Sequence, residues 1–270
     1  MSEPHTAPAP KDDEVRRQSR RMTRRSFAVG AAALVAGWAG HRWLSTRASE
    51  DDIPWPLRRV LGFNERLGSA AFRGQRLATT FPPERALAAD AMRVNGTIGL
   101  GGAFDAATWK LSVESDRGDA QRFSLNDVRS VARSEMVVEL KCIEGWSEVF
   151  SWAGASLGDF MKRYRLGTRS GSAPDPEGNP ADLYSYVALE TPNGEYYVGL
   201  DMASAIQPQT LLCYEMGGVP LSPEHGAPLR LAIPVKYGIK NIKRIGRIRF
   251  TDERPRDYWA ENGYDWYSGH

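Results

Sequence analysis

The sequence predicts an α+β fold that is mostly β structure with a few helices. Gly (26 residues) and Pro (17 residues) are spread along the 270-residue chain, and 10% of the residues are aromatic. This composition favours a loop-rich fold with β structure over a helical bundle. With 41% hydrophobic and 25% charged residues, the chain can bury one substantial core or two small ones, which excludes a disordered or collagen-like protein.

Short runs with period-two alternation, or with many aromatic and β-branched residues, predict the strands. Two helices are predicted between them, each beginning after a serine that can cap its first turn, Ser124 and Ser156. The second helix would place Leu157, Phe160 and Tyr164 on one face. The predicted strands lie at 93–98, 109–114, 136–142, 184–189, 195–200, 211–216, 229–233 and 248–251.

The domain organisation follows from changes in composition along the chain. Residues 49–90 are rich in Pro, Arg and short polar residues and show no sustained period, which predicts an extended N-terminal wrap. The strand and helix patterns then predict one domain over 91–256, followed by a C-terminal tail over 257–270.

Residues 1–48 resemble an export signal. A polar, basic segment is followed by Arg24-Arg25 before Ser-Phe and by an uncharged apolar run over 27–40, which is typical of a twin-arginine signal. The alternative is a basic tail leading into an anchor helix. An apolar run of about 14 residues is short for a bilayer, and no clear cleavage site follows it. Either a signal peptide or a retained N-terminal anchor therefore stays open.

The charge distribution argues against nucleic-acid binding. Residues 1–48 contain nine of the 35 Lys and Arg and four of the 33 Asp and Glu, which leaves 26 against 29 in the rest of the chain. The body therefore carries a net charge of −3 and lacks a basic footprint. The two cysteines, Cys142 and Cys213, form no C-x-x-C motif, so neither a zinc ribbon nor a C-x-x-C-H haem site is predicted.

Cys142 lies at the end of the predicted strand 136–142, before a loop that contains Gly and Trp. A lone cysteine there is more often an inert core residue. However, the segment VVELKCIEGWS over 137–147 resembles the cofactor cysteine segment of the sulfite-oxidase-like molybdopterin oxidoreductases. The resemblance covers about residues 60–256. Segments 210–221 and 225–243 are similar to that superfamily, and 186–191 and 251–255 are similar to its bacterial periplasmic branch, the protein methionine sulfoxide reductase catalytic subunits.

The resemblance implies a sulfite-oxidase-type fold and a molybdenum–molybdopterin cofactor. Cys142 would be the single protein ligand of molybdenum, because a thiolate is a soft anionic donor. The pterin phosphate would be bound by Arg230 and Lys243 and by the backbone amides of Asn241 and Ile242. The family pattern also assigns Thr191 and His225 to the pterin, although the reductase branch has Asn at the position of His225.

Several assignments have plausible alternatives. Asn64, in a short motif that resembles the reductase branch, would bind the pterin or cap a helix. The basic cluster over 236–244 would face either a phosphate or solvent. Cys213 is predicted to be buried core, although a disulfide between Cys142 and Cys213 is an alternative. Three other residues would shape a substrate funnel: Glu144, Trp146 and Tyr237. Alternatively, the Glu144 carboxylate would be a cap, and the two aromatic rings would be packed side chains.

The predicted protein is a monomeric molybdenum oxidoreductase of the periplasm. Its predicted reaction is oxygen-atom transfer, in which a sulfoxide such as methionine sulfoxide is reduced. The alternatives are sulfite oxidation of the dehydrogenase type and a non-catalytic, β-rich exported binding protein. The chain has no haem-attachment motif, no iron–sulfur cysteine set and no dinucleotide fingerprint. We therefore expect a separate electron partner, either a membrane haem subunit linked to quinones or a periplasmic cytochrome.

Overall fold

A computed structural model of the chain describes residues 12–50, 53–71 and 77–270. By its contacts the chain divides into two compact units, Met1–Arg58 and Arg59–His270. The first unit contains helix α1 (Asp12–Ser45) and an antiparallel pair of short strands, β1 (Ser49–Glu50) and β2 (Ile53–Pro54). The segment before Asp12, which belongs to the predicted signal, lies outside the described residues.

Helix α1 contains both the arginine pair and the apolar run of the predicted signal. Arg24 and Arg25 are exposed, as are the apolar side chains of Phe27, Leu34 and Trp38. Among the described residues, no helix combines the length and the apolar character that crossing a bilayer requires.

Helix α2 (Trp55–Ala71) corrects the prediction of an extended chain over 49–90. Pro56 lies in its first turn, where a missing N–H costs no hydrogen bond. Leu57, Val60, Leu61 and Leu67 then recur at helical spacing. This period spans only three turns and is interrupted by polar residues, which is why the sequence analysis missed it.

The second unit contains the predicted domain and alternates strands with short helices. Short 3₁₀ turns lie at Pro83–Arg85, Pro180–Asp182 and Gly238–Lys240. Its other elements are β3 (Leu111–Ser115), β4 (Ala120–Phe123), α3 (Leu125–Arg129), β5 (Arg133–Lys141), β6 (Ser147–Ser156), α4 (Leu157–Tyr164), β7 (Tyr186–Glu190), β8 (Tyr197–Asp201), α5 (Met202–Ala205), β9 (Leu211–Met216), β10 (Val219–Pro220), β11 (Arg230–Ala232), β12 (Arg247–Thr251) and α6 (Tyr258–Glu261).

Two five-stranded sheets form this unit. In the first, the order is β10-β9-β6-β5, and β11 also pairs with β9; all of these pairs are antiparallel. In the second, the order is β4-β3-β12-β7-β8, and only β12 and β3 run parallel. The α+β fold class predicted from the sequence is therefore confirmed.

The first sheet has apolar side chains on both faces. Leu212 and Leu231 belong to the large core, together with Phe160 of α4 and residues of the second sheet such as Leu189. A smaller cluster on the opposite face contains Phe150, Trp152, Leu211, Cys213 and Met216. Period-two alternation along β9 assigns Leu211 and Cys213 to one cluster and Leu212 to the other. The functional site lies beside the smaller cluster.

The predicted helix starts are confirmed. Ser124 caps α3 in a capping box with Asp127, and Ser156 caps α4 by accepting from the Asp159 amide. The strand predicted at 93–98 is wrong, because this segment is irregular and Gly96 has φ +74°.

Strand β6, the longest strand of the first sheet, is not predicted by the sequence patterns. Its second half, WAGAS, contains small residues that give a weak strand signal. The small residue is required at Gly154, because a Cβ atom there would lie 2.2 Å from the Leu212 carbonyl of β9.

Candidate functional site

Cys142 directly follows β5 and begins the tight turn that leads into β6. Its N–H donates to the Trp146 carbonyl at 2.9 Å, and its carbonyl accepts from the Gly145 N–H at 3.2 Å. Gly145 has φ +87°, which a glycine adopts without the steric penalty of a side chain. The turn therefore presents the half-buried thiol at the end of the sheet, beside a cavity.

The cavity is lined by cationic, polar and aromatic residues from several distant parts of the second unit. Its polar lining includes Asn95, Cys142, Glu144, His225 and Arg230. The other principal residues of its wall are Arg93, Ile98, Leu140, Trp146, Phe150, Trp152, Tyr196, Met216, Ile239, Asn241, Lys243, Trp259 and Tyr264.

A hydrogen-bonded group surrounds the Cys142 sulfur. The Asn95 Nδ2 atom lies 3.8 Å from Sγ and donates to Glu144 Oε2 at 3.1 Å, and the Trp146 indole N–H donates to the same oxygen at 3.0 Å. Burial raises the pKa of the Cys142 thiol, and the Glu144 carboxylate adds to this rise. The backbone amides of Ile143 and Glu144 act in the opposite direction, because they donate toward the sulfur. A positive charge at the sulfur would therefore favour the thiolate.

Arg230 is a buried cation in the cavity wall. Its guanidinium donates to the carbonyls of His225 (3.0 Å) and Asn241 (3.1 Å) and lies 4.6 Å from the ring centroid of Trp152. Within the described part of the chain, no carboxylate forms an ion pair with it, and its Nε atom is buried without a hydrogen-bond partner. Burial lowers the pKa of Arg230 to about 10. This arrangement leaves a positive charge that an anion in the cavity would stabilise.

Lys243 connects the Arg230 side of the cavity to the segment of Asn95. Its ammonium donates to the carbonyls of Asn95 (2.7 Å), Gly96 (2.9 Å) and Glu224 (2.7 Å). All three N–H donors are therefore used within the chain. Burial and the Arg230 charge lower the pKa of Lys243 to about 8. Lys243 thus contributes charge to the cavity while it holds the irregular segment beside the cysteine.

His225 and Asn241 complete this wall. Burial lowers the pKa of His225, and the charges of Arg230 and Lys243 lower it further, which favours the neutral ring. The Asn241 carboxamide is held in the chain, where it accepts from the Ile233 N–H at 2.8 Å and donates to the Tyr237 carbonyl. The neutral imidazole is therefore the more available hydrogen-bonding group.

Three of the predicted site residues do not line the cavity. Asn64 is exposed on α2 and is absent from the cavity wall. Ile242 is buried in the large core, and its amide and that of Asn241 both donate to carbonyls of the 3₁₀ turn over 238–240. Thr191 acts one layer behind the wall, because its hydroxyl binds the backbone of Tyr196, a cavity residue.

The basic cluster over 236–244 is neither a solvated face nor a phosphate site as a whole. Lys240 is fully buried and donates to Asp257 Oδ2 and to the Gly199 carbonyl. Lys236 is buried above the Tyr267 ring and lies 3.5 Å from Asp201 Oδ1, and burial lowers its pKa to about 7. Both predicted interpretations are thus wrong for these two lysines, which pack into the interior beside carboxylates and aromatic rings.

The remaining sequence predictions concern Glu144, Trp146, Tyr237 and Cys213. Glu144 and Trp146 line the cavity, whereas Tyr237 lies outside it and packs against the His270 ring. Cys213 is fully buried core, with its thiol donating to backbone carbonyls of Ala153 and Glu215. Both cysteines are free thiols, so the alternative disulfide is not formed.

Two parts of the cavity wall were not predicted from the sequence. They are Asn95 and a group of aromatic residues that we call the aromatic edge. The aromatic edge consists of Tyr196, Trp259 and Tyr264, which line the cavity and make tilted or edge-to-face ring contacts with the neighbouring Tyr258 or with one another. The Asn-Gly pair at 95–96 is a turn signal that could have marked the first segment. The aromatic edge gives no comparable signal, because aromatic residues are also typical of a core.

Comparisons with known proteins identify relatives of this domain. The family model of the oxidoreductase molybdopterin binding domain matches residues 99–259. The chain is similar to the protein-methionine-sulfoxide reductase catalytic subunit MsrP of Xanthomonas campestris pv. campestris, with 34% identity over 159 residues that cover 57% of this chain and 48% of that protein. The MsrP of Ralstonia nicotianae is 33% identical over 280 aligned positions, covering 93% of this chain and 75% of that protein.

The chain thus spans about half the length of the Xanthomonas relative and three quarters of the Ralstonia relative. Among solved structures, the sulfane dehydrogenase SoxCD from Paracoccus pantotrophus is similar with a TM-score of 0.46 and 15% identity, over 56% of this chain and 40% of that one.

Proposed function

Because the chain belongs to the oxidoreductase molybdopterin binding domain family, we propose that it is a molybdenum–molybdopterin oxidoreductase that reduces sulfoxides by oxygen-atom transfer. One observation carries this proposal: the free thiol of Cys142 lines the same cavity as the buried cation of Arg230, which pairs with no carboxylate among the described residues. The names of the similar reductase subunits support methionine sulfoxide in a protein as the substrate.

The residues of the cavity fit this cofactor. A thiol on a turn offers one soft ligand for molybdenum. The orphaned Nε of Arg230 and its uncompensated charge fit an anionic group such as the pterin phosphate. The neutral ring of His225 can donate or accept a hydrogen bond at the pterin. Asn95 replaces Asn64 in this proposal, because Asn95 is the asparagine that lies beside the Cys142 sulfur.

When bound, the cofactor supplies the site at which oxygen is exchanged and two electrons are stored. The chain fixes the position of Cys142 by the turn, while Asn95 and Trp146 hold the Glu144 carboxylate by hydrogen bonds. The aromatic edge limits the access of water and offers ring surfaces that suit the sulfur and methyl group of methionine sulfoxide. Reduction of the substrate consumes two electrons and two protons, breaks the S–O bond, and gives a thioether and water.

The test compares the two cysteines of the chain. Cys142→Ala should lose the protein sulfur from the molybdenum coordination, measured by X-ray absorption, and nearly all sulfoxide reduction. Cys213→Ala is the matched control, because Cys213 is fully buried behind the cavity wall and does not line the cavity, and it should retain both. An unchanged molybdenum environment and rate in Cys142→Ala would exclude the assignment.

Sulfite oxidation is the second candidate, and His225 is the residue that favours it, because the reductase branch has Asn at this position. Both reactions can be assayed on the same loaded protein. If sulfite is oxidised and dimethyl sulfoxide, methionine sulfoxide and oxidised protein are not reduced, the direction of oxygen transfer in our proposal is wrong.

We further propose that the protein works in the periplasm after twin-arginine export. The pair Arg24-Arg25, followed by the apolar run, supports this. The receptor of the twin-arginine route recognises the arginine pair itself and not positive charge alone. Replacing Arg24 and Arg25 with Lys should therefore retain the loaded protein in the cytoplasm. Continued export of that variant would contradict the proposed route.

Electrons are proposed to come from a separate haem protein, either a quinone-linked membrane subunit or a periplasmic cytochrome, through a small and transient contact. The absence of a haem motif, an iron–sulfur cysteine set and a dinucleotide fingerprint in the sequence supports a separate donor. In proteoliposomes, adding sulfoxide should oxidise the prereduced haem only when this protein is present. Equal turnover in membranes and buffers without a cytochrome would contradict the proposal.

A further inference from the structure

Helix α2 exposes an apolar face on the second unit. Val60, Phe63 and Leu67 are exposed over 55%, 59% and 61% of their residue surfaces. At spacings of three and four residues, they lie on one side of the helix. None of the residues of α2 is buried. We call the surface formed by Val60, Phe63 and Leu67 the α2 outer face. Three adjacent large apolar side chains on one helix are more than the single exposed residues that are normal at a protein surface.

The side of α2 away from the outer face packs on the protein. Glu65 points inward, where its carboxylate lies 2.7 Å from the Arg254 guanidinium. Gly68 lies on the same inner side, close to the Tyr267 ring. Within α2, all of whose residues are described, Glu65 is the only acidic residue. The outer face is therefore free of negative charge from its own helix.

Two cations border the outer face. Arg59 and Arg66 are exposed, and they lie four residues before and three residues after Phe63, beside it on the helix surface. The helix thus combines an apolar strip with a basic margin. This combination is typical of amphipathic helices that lie in the plane of a membrane interface, with apolar side chains at the acyl boundary and cations at anionic headgroups.

We propose that the α2 outer face lies on an anionic membrane surface and holds the second unit against the bilayer. The apolar strip suits a membrane as the partner of this face. The basic margin favours anionic over neutral lipid by charge complementarity. The body of the chain beyond residue 48 is net negative, so these cations give α2 a local attraction to anionic lipid that this body as a whole lacks. This proposal does not depend on the cofactor or on the direction of oxygen transfer.

The experiment uses the full chain, loaded with cofactor, and peptide-resolved hydrogen–deuterium exchange. Vesicles contain 30% phosphatidylglycerol in phosphatidylcholine or phosphatidylcholine alone. Local resolution is needed because α1 also carries exposed apolar side chains, so that sedimentation with vesicles would not identify α2. On anionic vesicles, amide exchange in residues 57–71 should slow at least threefold, and less on neutral vesicles or at high salt.

Two variants test the apolar and the basic part separately. Phe63→Ser combined with Leu67→Ser should abolish the slowing in 57–71, whereas Val219→Ser, at a valine that is 47% exposed on β10, should not. Arg66→Glu should reduce the difference between anionic and neutral vesicles, and Arg122→Glu, at an exposed arginine of β4, is its control. Sulfoxide reduction with a soluble artificial donor should stay unchanged in all four variants.

Three outcomes would overturn the proposal. The first is unchanged exchange in 57–71 on both kinds of vesicle. The second is slowing that is equal on anionic and neutral lipid. The third is slowing only when a membrane cytochrome is present in the vesicles, which would identify a protein as the occupant of the α2 outer face. Loss of activity in Cys142→Ala, by contrast, tests the proposed function alone.

Discussion

Replacing Arg230 with Met is expected to affect the loaded protein far more than the protein without cofactor. Burial lowers the pKa of Arg230 to about 10, which corresponds to a cost of about 3 kcal/mol for keeping the charge, at about 1.4 kcal/mol per tenfold change in ionisation. The guanidinium also donates to two backbone carbonyls and stacks on Trp152. Each such hydrogen bond contributes about 1 kcal/mol, and the ring contact contributes about 1 kcal/mol.

These contributions nearly cancel, so Arg230→Met should change the free energy of unfolding of the cofactor-free protein by less than about 2 kcal/mol. With the cofactor bound, the variant leaves a buried anion without its cation, a loss of about 2 to 5 kcal/mol. Cofactor affinity should therefore fall by at least about 30-fold.

The assay compares chemical denaturation of both forms with the pterin content that remains after gel filtration. Arg122→Met, at an exposed arginine, is the control and should leave both quantities unchanged. If Arg230→Met destabilised the two forms equally and retained its pterin, Arg230 would be a structural residue and the argument for an anion site would fail.

Two further predictions concern lysines. Lys243→Met should speed amide exchange in the segment of Asn95 several-fold, because the ammonium holds the backbone of this segment; exchange equal to wild type would contradict this, and the exposed Lys162→Met is the control. Lys236 has a pKa lowered by burial to about 7, so between about pH 7 and 10 the unfolded chain binds more protons and stability rises with pH. In Lys236→Met this part of the rise should be absent from denaturation curves measured across that range, and parallel pH profiles of the two proteins would refute it.

Local patterns in the sequence predicted the framework of the site well. Period-two alternation located the strand that ends before Cys142, and serine caps located α3 and α4. These features depend on neighbours in sequence, so the residue types carry the information directly. The same reasoning failed for β6, where Gly154 serves a close approach to another strand and weakens the local signal.

The interior lysines show why charge patterns were misleading. Lys236 and Lys240 are four residues apart, which is compatible with one solvated face or with a shared phosphate. Each instead finds a different carboxylate, Asp201 for the first and Asp257 for the second. These partners are supplied by β8 and by the segment before α6, so they cannot be read from the basic segment itself. The burial of these two lysines therefore depends on carboxylates that distant segments of the chain provide.

The choice of asparagine follows from the same principle. A motif match in the sequence favours Asn64, because it compares a few consecutive residues, and it overlooks Asn95, whose surroundings signal only a turn. In the folded chain, Lys243 holds the Asn95 carbonyl, and these two residues are 148 positions apart. That contact places the Asn95 carboxamide beside the sulfur of Cys142. The polar environment of the cysteine is therefore set in part by a pairing between distant segments of the chain.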